Sequence, residues 1–549
     1  MKRTPLSNIL LFIVETLLLS LLALSCDNSG SKNRDRPIFP PAVFIADKDL
    51  DGIDELYAAF DDGTNIAKLS NKLVVGGDVV SFLVSPDGFF VAYVADQDTD
   101  DVFELYVVLV DKTTDDTAVK VSGPMAGTGI LKLPSGEYMF DWAPDSSRVA
   151  YIADQNTSGV FELFTSTPNG VENDLVSDLP NPLTNPDRDV KYFKWEPKST
   201  LIAYVADQET NDKFELYVSF SDTNVGNRKV SGIPMVGIGV RESPPVPSGE
   251  YLFAWAPDSS RLAYIADQDT GDIFELFTSS PGGASNQKLS GPMGINGDVE
   301  EFVWAPNSSK IAYLANQLND LGVELYTTFP NISGFLKISA DLVAGSNVTG
   351  FLWAPDSSRI AFIANKNVSK FALYTTSPDD NNNVLVSSNL INKDVFSFAW
   401  APNSSRIAYI SDDITTGALE LFTTRPASFG VIKISGNLVA GGDVFEFEWA
   451  PNNSRVAYTA DQDQNDVLEL YTSTPEGISN DILSGVMVPG GDVQDFKWAP
   501  DSSGVGYRAD QDIDNVIELF ASQPNGNENI MLSGTLVKDG NVLAFDWVP

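Results

Sequence analysis

The chain has 549 residues, with 35 lysines and arginines against 75 aspartates and glutamates, a formal net charge of −40 and no histidine. Affinity for a phosphate backbone comes from lysine and arginine displacing counterions, so so acidic a chain excludes nucleic acid as a partner. The missing histidine removes Ser-His-Asp and Cys-His nucleophile pairs and imidazole-ligated catalytic zinc; only paired carboxylates remain for acid–base work, which disfavours an enzyme, and no catalytic residue is assigned.

The chain opens Met1-Lys2-Arg3, continues through an apolar run from Ile9 to Leu24 and reaches Ala23-Leu24-Ser25-Cys26, the three-part layout of an export signal. The run holds Glu15 and falls short of the roughly 20 apolar residues that a bilayer span needs. Cys26 is the only cysteine, and its setting resembles the lipobox of bacterial lipoproteins. That resemblance implies a signal peptide over 1–25, lipidation of Cys26, and membrane contact through the lipid anchor alone, on an exported protein of the outer membrane or periplasmic face. Residues 26–41 are polar and then proline-rich, the composition of a tether. With Cys26 lipidated no thiol remains for a disulfide, so stability rests on packing.

From residue 42 onward the chain repeats. All nine tryptophans, at 142, 195, 255, 304, 353, 400, 449, 498 and 547, stand in Phe-x-Trp-x-Pro, and from Trp255 they recur every 49 residues, once every 47. That period fits a four-stranded propeller blade. Residues 298–345 show four short β-rich runs divided by turn residues; Phe302 and Trp304, two apart, share one face. One such sheet cannot bury both faces, whereas stacked copies can, so the tryptophans are predicted to pack between blades.

The fold class expected is all-β, a propeller of about ten four-stranded repeats over 42–549. Ten first runs end at prolines 86, 144, 197, 257, 306, 355, 402, 451, 500 and 549, but residues 43–70 supply only later runs and 542–549 only a first run. The C-terminal strand is therefore predicted to complete the N-terminal blade and close one ring, with two five-bladed rings as the rival. The early units are longer, and Lys120-Val121-Ser122-Gly123 with Pro134-Ser135-Gly136-Glu137-Tyr138 returns as Lys229-Val230-Ser231-Gly232 with Pro247-Ser248-Gly249-Glu250-Tyr251. A two-unit block has been duplicated, and its extra loop residues are expected to project and offer partner contacts.

Between the second and third runs, Asp47, Asp49, Asp51 and Glu55 stand at loop positions 1, 3, 5 and 9, the spacing by which a tight loop can wrap Ca²⁺. An EF-hand would need a glutamate at position 12, where Ala58 stands. The pattern returns as Asp96, Asp98, Asp100 and Glu104, as Asp510, Asp512, Asp514 and Glu518, and with gaps as Asp267, Asp269 and Glu275 or Asp461, Asp463 and Glu469. Asn316, Leu318 and Asp320, or Asn365, Asn367 and Ser369, are degenerate copies. Hairpin turns use the same residue types, so Ca²⁺ is the candidate cofactor and turn chemistry the alternative. The recurring glutamate before Leu-Tyr or Leu-Phe is expected to pair with the strand arginines Arg148, Arg261, Arg359, Arg406 and Arg455 in some units.

Trp255-Ala256-Pro257-Asp258-Ser259-Ser260-Arg261-Leu262-Ala263-Tyr264, followed by Phe274-Glu275-Leu276-Phe277, resembles the WD40-like repeat of the TolB propeller family, whose Ser-Pro-Asp-Gly turn is matched at Ser85-Pro86-Asp87-Gly88. The likeness covers residues 42–549 and implies the fold; it implies no peptidase activity, since the histidine of such a triad is missing. The expectation is a lipid-anchored, monomeric envelope protein whose propeller is a non-catalytic platform for a protein or glycan partner. The alternatives are a carboxylate-based saccharide hydrolase or lyase acting at a central opening, and a surface adhesin.

Overall fold

A computed structural model of the chain describes residues 39–549 except 62, 112–116, 180–187, 224, 233–236, 246, 295–296, 318–321, 341, 344, 367–369, 388–393 and 413–416. Cys26 and its leader lie outside the described residues, as do Leu318, Asp320, Asn367 and Ser369. Ten four-stranded antiparallel sheets make up the described structure, each a propeller blade. Blade 1 combines Phe39–Ala46, Glu55–Asp61 and Asn65–Lys68 with the C-terminal strand Val542–Trp547. Blades 2 to 10 follow in order, with first strands starting at Val79, Phe140, Val190, Phe253, Val299, Val348, Val395, Val444 and Val493.

Two compact units each contain five blades. Residues 69–348 with 377–382 hold blades 2 to 6; residues up to 68 with 349–376 and 383–549 hold blades 1 and 7 to 10. In the latter unit the C-terminal strand completes the N-terminal blade as predicted, with Ala42 opposite Trp547, Phe44 opposite Phe545 and Ala46 opposite Val542.

Inside each blade the second strand is buried along its length, as in Val91-Ala92-Tyr93-Val94-Ala95. Its small alanines let neighbouring sheets approach, and its aromatic ring stacks on the one directly across in the third strand. All ten blades repeat that pair, from Tyr93 on Tyr106 at 5.3 Å to Tyr151 on Phe164 at 5.6 Å between ring centres.

The tryptophans pack between blades and also bond there. The indole N–H of Trp304 donates to the carbonyl of Ala254, the residue just before Trp255 of the preceding blade, at 3.2 Å. Trp142, Trp195, Trp255, Trp400, Trp449, Trp498 and Trp547 repeat the bond to Leu83, Asp141, Lys194, Leu352, Ala399, Glu448 and Lys497. A donor buried with the ring is thereby satisfied by the neighbour's main chain.

The turn after each Pro-Asp or Pro-Asn explains why serine stands where the TolB pattern has glycine. Ser308 sits at φ 61°, a left-handed conformation that costs a non-glycine residue about 1 kcal/mol. Its hydroxyl accepts the backbone N–H of Asp258 in the preceding blade at 2.9 Å, and Ser146, Ser199, Ser404 and Ser502 do the same. Gly88, in blade 2, could make no such bond.

Two features differ from expectation. First strands carry a bulge near their start, as between Val299 and Glu301 or Val493 and Asp495, so alternation begins one residue late. The extra residues of the duplicated block do not project wholesale: Ile130, Leu133, Met139, Val240 and Tyr251 are buried, and short bridges such as Ile130 to Ala153 and Val240 to Ala266 tie them to the second strands. Each excursion carries enough apolar side chains to be drawn inward, leaving Pro134-Ser135-Gly136-Glu137 as an exposed tip.

Candidate functional site

The loops between second and third strands hold the acids singled out by sequence, and the structure gives each position a separate role. Position 1 is buried and acts as a clamp. One oxygen of Asp96 accepts the N–H of Asp101 at 3.0 Å, closing its own hairpin; the other accepts the N–H of Asp78, at the entry to the first strand, at 2.6 Å. Asp510 does the same with Asn515 and Asp492 at 3.1 and 2.7 Å, and Asp47 with Gly52 and Asn541.

The first-strand partner passes the connection on. Asp492 accepts the N–H of Leu468 in the preceding blade at 2.7 Å, and Asn541 that of Ile517 at 2.8 Å; Asp189, Asp298, Asp394 and Asp443 repeat it. Recurrent carboxylates thus form a relay that stitches strand to strand and blade to blade. Replacing Asp267 by alanine tests it. This 0% exposed side chain receives Gly239, Ile238 and Asp272 N–H groups at 2.7, 2.9 and 3.4 Å. Leaving them unpaired is expected to lower stability by about 3 kcal/mol in urea unfolding, and Asp267→Asn, which keeps one acceptor, by less.

Positions 3 and 9 meet a lysine. Glu104 accepts the Tyr106 hydroxyl and the Lys120 ammonium, both at 3.0 Å, and Lys120 also reaches Asp98 at 3.0 Å. The lysine stands on the fourth strand directly across from the aromatic residue of the third, as Lys120 faces Tyr106. Glu55, Glu215 and Glu324 repeat the glutamate–tyrosine–lysine group with Lys68, Lys229 and Lys337. Position 5, at Asp51, Asp100 and Asp514, is exposed.

The four acids of a loop therefore do not converge, and among the described residues no three or more acids, cysteines or histidines are arranged to hold a metal ion. The expected glutamate–arginine pairs are also replaced. Glu275 lies opposite Ala266, five residues along the strand from Arg261, a separation of about 16 Å. Arg261 instead bonds Thr278, and Arg148 and Arg455 bond Thr165 and Thr472 with the nearby Asp174 and Asp481. Arg406 reaches Glu476 at 2.7 Å, a glutamate outside the recurring position.

Sequence reading missed the glutamine after Asp in Ala-Asp-Gln. Gln155, Gln268, Gln462 and Gln511 each accept a backbone N–H from Gly123, Gly232, Gly436 and Gly485 at the end of the preceding blade. A Cβ on Gly123 would come within 2.5 Å of Gln155, so the Ser-Gly pair was the available signal.

Glu518 in blade 10 lacks both partners, because Phe520 brings no hydroxyl and Met531 stands across from it. Blades 3, 7 and 9 also carry an apolar residue there, Leu175, Leu385 and Ile482, but Glu162 and Glu469 of blades 3 and 9 bond Asn156 and Tyr471. Glu518 is 4% exposed, and its Oε2 is buried with no hydrogen-bond partner. Burial, with Asp512 beside it, pushes its carboxyl up to about 7 from 4.5. Between those values the native chain holds a proton that the unfolded chain has released, so this contribution to stability is present below 4.5 and is lost as pH rises through 7. Wild type is expected to lose stability relative to Glu518→Gln between about pH 5 and pH 8; parallel denaturation midpoints across that range would refute this.

A second group of acids lies on adjacent first strands of blades 9, 10 and 1. Glu448 accepts the Trp498 N–H at 3.3 Å, Lys497 reaches Asp546 at 3.3 Å, and Arg508 bonds Asp495 at 2.9 Å. Desolvation by the surrounding strands pushes the half-buried Glu448 up to about 7, against the Trp498 N–H and Lys497, and raises Glu446, which is exposed, with Asp495 beside it.

No family model and no curated protein matches the chain. Among solved structures it is similar to a eukaryotic initiation factor, with 12% identity over 93% of this chain and 99% of that one and a TM-score of 0.47. Dipeptidyl peptidase 4 of Porphyromonas gingivalis shares 11% identity over 84% of this chain and 59% of that one, with a TM-score of 0.48. Oligogalacturonate lyase from Vibrio parahaemolyticus shares 12% over 61% and 90%, with a TM-score of 0.34. Likenesses of this degree carry neither activity nor ligand across to this chain.

Proposed function

We propose that this chain is a lipid-anchored propeller of the TolB type that serves as a non-catalytic binding platform for a protein or glycan of the bacterial envelope. The observation that supports it most is the use of the recurrent polar side chains: position-1 aspartates, glutamines and most position-9 glutamates are occupied in bonds within and between blades. Such residues build a scaffold and leave recognition to the loops it holds. The reading makes no use of calcium: in the loop from Asp96 to Glu104 the first acid holds backbone N–H groups and Asp98 and Glu104 share Lys120. The test is metabolic labelling with an alkyne palmitate analogue, with envelope fractionation and crosslinking in cells. Wild type should be labelled, sediment with membranes and crosslink to a discrete partner, and Cys26→Ser should lose label and sedimentation. An unlabelled, soluble wild type, or one without a crosslinked partner, would overturn the reading.

The Glu446–Glu448–Asp495–Asp546 group favours a second reading, a saccharide hydrolase or lyase. A carboxyl pushed up to about 7 on a wall of further acids is an arrangement that suits a general acid. Release of reducing ends or unsaturated products from acidic polysaccharides, abolished by Glu448→Gln, would support it over the platform.

A further inference from the structure

We infer that Asp512 and Glu518 in blade 10 form a binding site for the primary ammonium group of an alkylamine. The argument comes from the chain's own repeats. In blades 2, 4 and 5 a fourth-strand lysine places its ammonium between two carboxylates, one at loop position 3 and one at position 9. Lys120 lies 3.0 Å from both Asp98 and Glu104, Lys229 bridges Glu209 and Glu215, and Lys288 lies 3.5 Å from Asp269 and 2.6 Å from Glu275. Blade 10 keeps both carboxylates at the same spacing and replaces the lysine by Met531.

Blade 5 is the closest parallel, because Phe277, like Phe520, offers no hydroxyl, and Oε2 of Glu275 is buried without a partner just as Oε2 of Glu518 is. There the remaining oxygen, Oε1, receives the lysine. A buried carboxylate facing a second acid is costly unless a cation joins them, so the pair selects a positively charged donor. The geometry shown by the siblings fits N–H donors at hydrogen-bond distance from each oxygen.

Glu518, though not Asp512, borders a cavity of about 390 Å³ whose walls combine Ile513, Val516, Leu536 and Val537 with Asp514 and Asp539. The apolar side chains among them suit the carbon stem of the amine. Of the two nearby lysines, Lys48 donates to the carbonyl of Thr535 at 2.9 Å, while Lys538, on the wall of the same cavity, is exposed and lies 3.5 Å from Asp539.

The probe is n-butylammonium, added to the protein at neutral pH while the thermal midpoint is followed, with tetramethylammonium and Ca²⁺ at matched ionic strength as controls. A ligand bound only by the native state raises the midpoint, so butylammonium alone should give a saturable rise of a few degrees. Met531→Lys should raise the midpoint without ligand and abolish the response, and Asp512→Asn should weaken it at least tenfold. A response to Nα-acetyl-lysine methylamide as well would assign the ammonium to a polypeptide lysine; a response to butylammonium alone, to a free amine. No rise, an equal rise with tetramethylammonium or Ca²⁺, or an undiminished rise in Met531→Lys would overturn the assignment.

Discussion

Replacing Trp400 by alanine is expected to destabilise the chain by about 3–5 kcal/mol, among the largest effects that one substitution can produce here. The ring is 2% exposed and packs with Leu352, Phe398, Ile407 and Tyr409, so truncation leaves a large cavity between blades 7 and 8. It also removes the donor that meets the Leu352 carbonyl at 3.2 Å. Trp400→Phe separates the two contributions: it keeps most of the apolar volume and loses the bond, and should cost nearer ~1–2 kcal/mol. Urea unfolding of the two variants measures both, and equal losses would mean that the indole N–H carries the effect.

Removal of residues 542–549 should be more damaging. It strips the strand that pairs with Phe39–Ala46 and takes away the buried Val542, Phe545, Trp547 and Val548, each worth about 1.5–3 kcal/mol of burial. The Asn541 N–H that binds Asp47 would be left at a loose end, and Trp547 would no longer cap the Lys497 carbonyl or touch Phe39. The sum rivals the whole stability of a typical domain. Amide exchange should show Ala42–Ala46 losing protection, and a synthetic peptide of residues 540–549 should restore it. Unchanged protection after truncation would mean that the N-terminal blade stands without its last strand.

Much of the architecture was legible because two periods coincide in the chain: the 49-residue recurrence of Trp and the two-residue alternation around it. The out-of-phase ends, Ala42 without a first run and Trp547 without later ones, pointed directly to the observed pairing. The candidate site was less legible. A loop such as Asp96 to Glu104 has the acid spacing of a cation loop, but which oxygen turns inward depends on the backbone groups around it, here the N–H groups of Asp78 and Asp101. The glutamate's true partner, Lys120, lies 16 residues later across a loop of variable length, so spacing alone could not find it. The buried excursions at 130–139 and 240–251 were hidden for a similar reason: loop length reads as projection until the apolar side chains find a face to cover.

The bonds between blades join each position to a matching position one unit away, Trp to the residue before the preceding Trp, Ser-Gly to Gln, first-strand Asp to the residue ahead of the glutamate. An interface built this way is written in a code that most units share, with exceptions such as Val84 for Trp and Gly88 for Ser in blade 2. Unequal recombination that inserts or deletes a whole unit, or a pair of them, keeps donors facing acceptors at the new junction wherever both units carry the shared residues. The recurrence of Lys120–Tyr138 as Lys229–Tyr251 is the mark of such an event, and the repeat number of this lineage can drift in whole steps while the individual loops diverge.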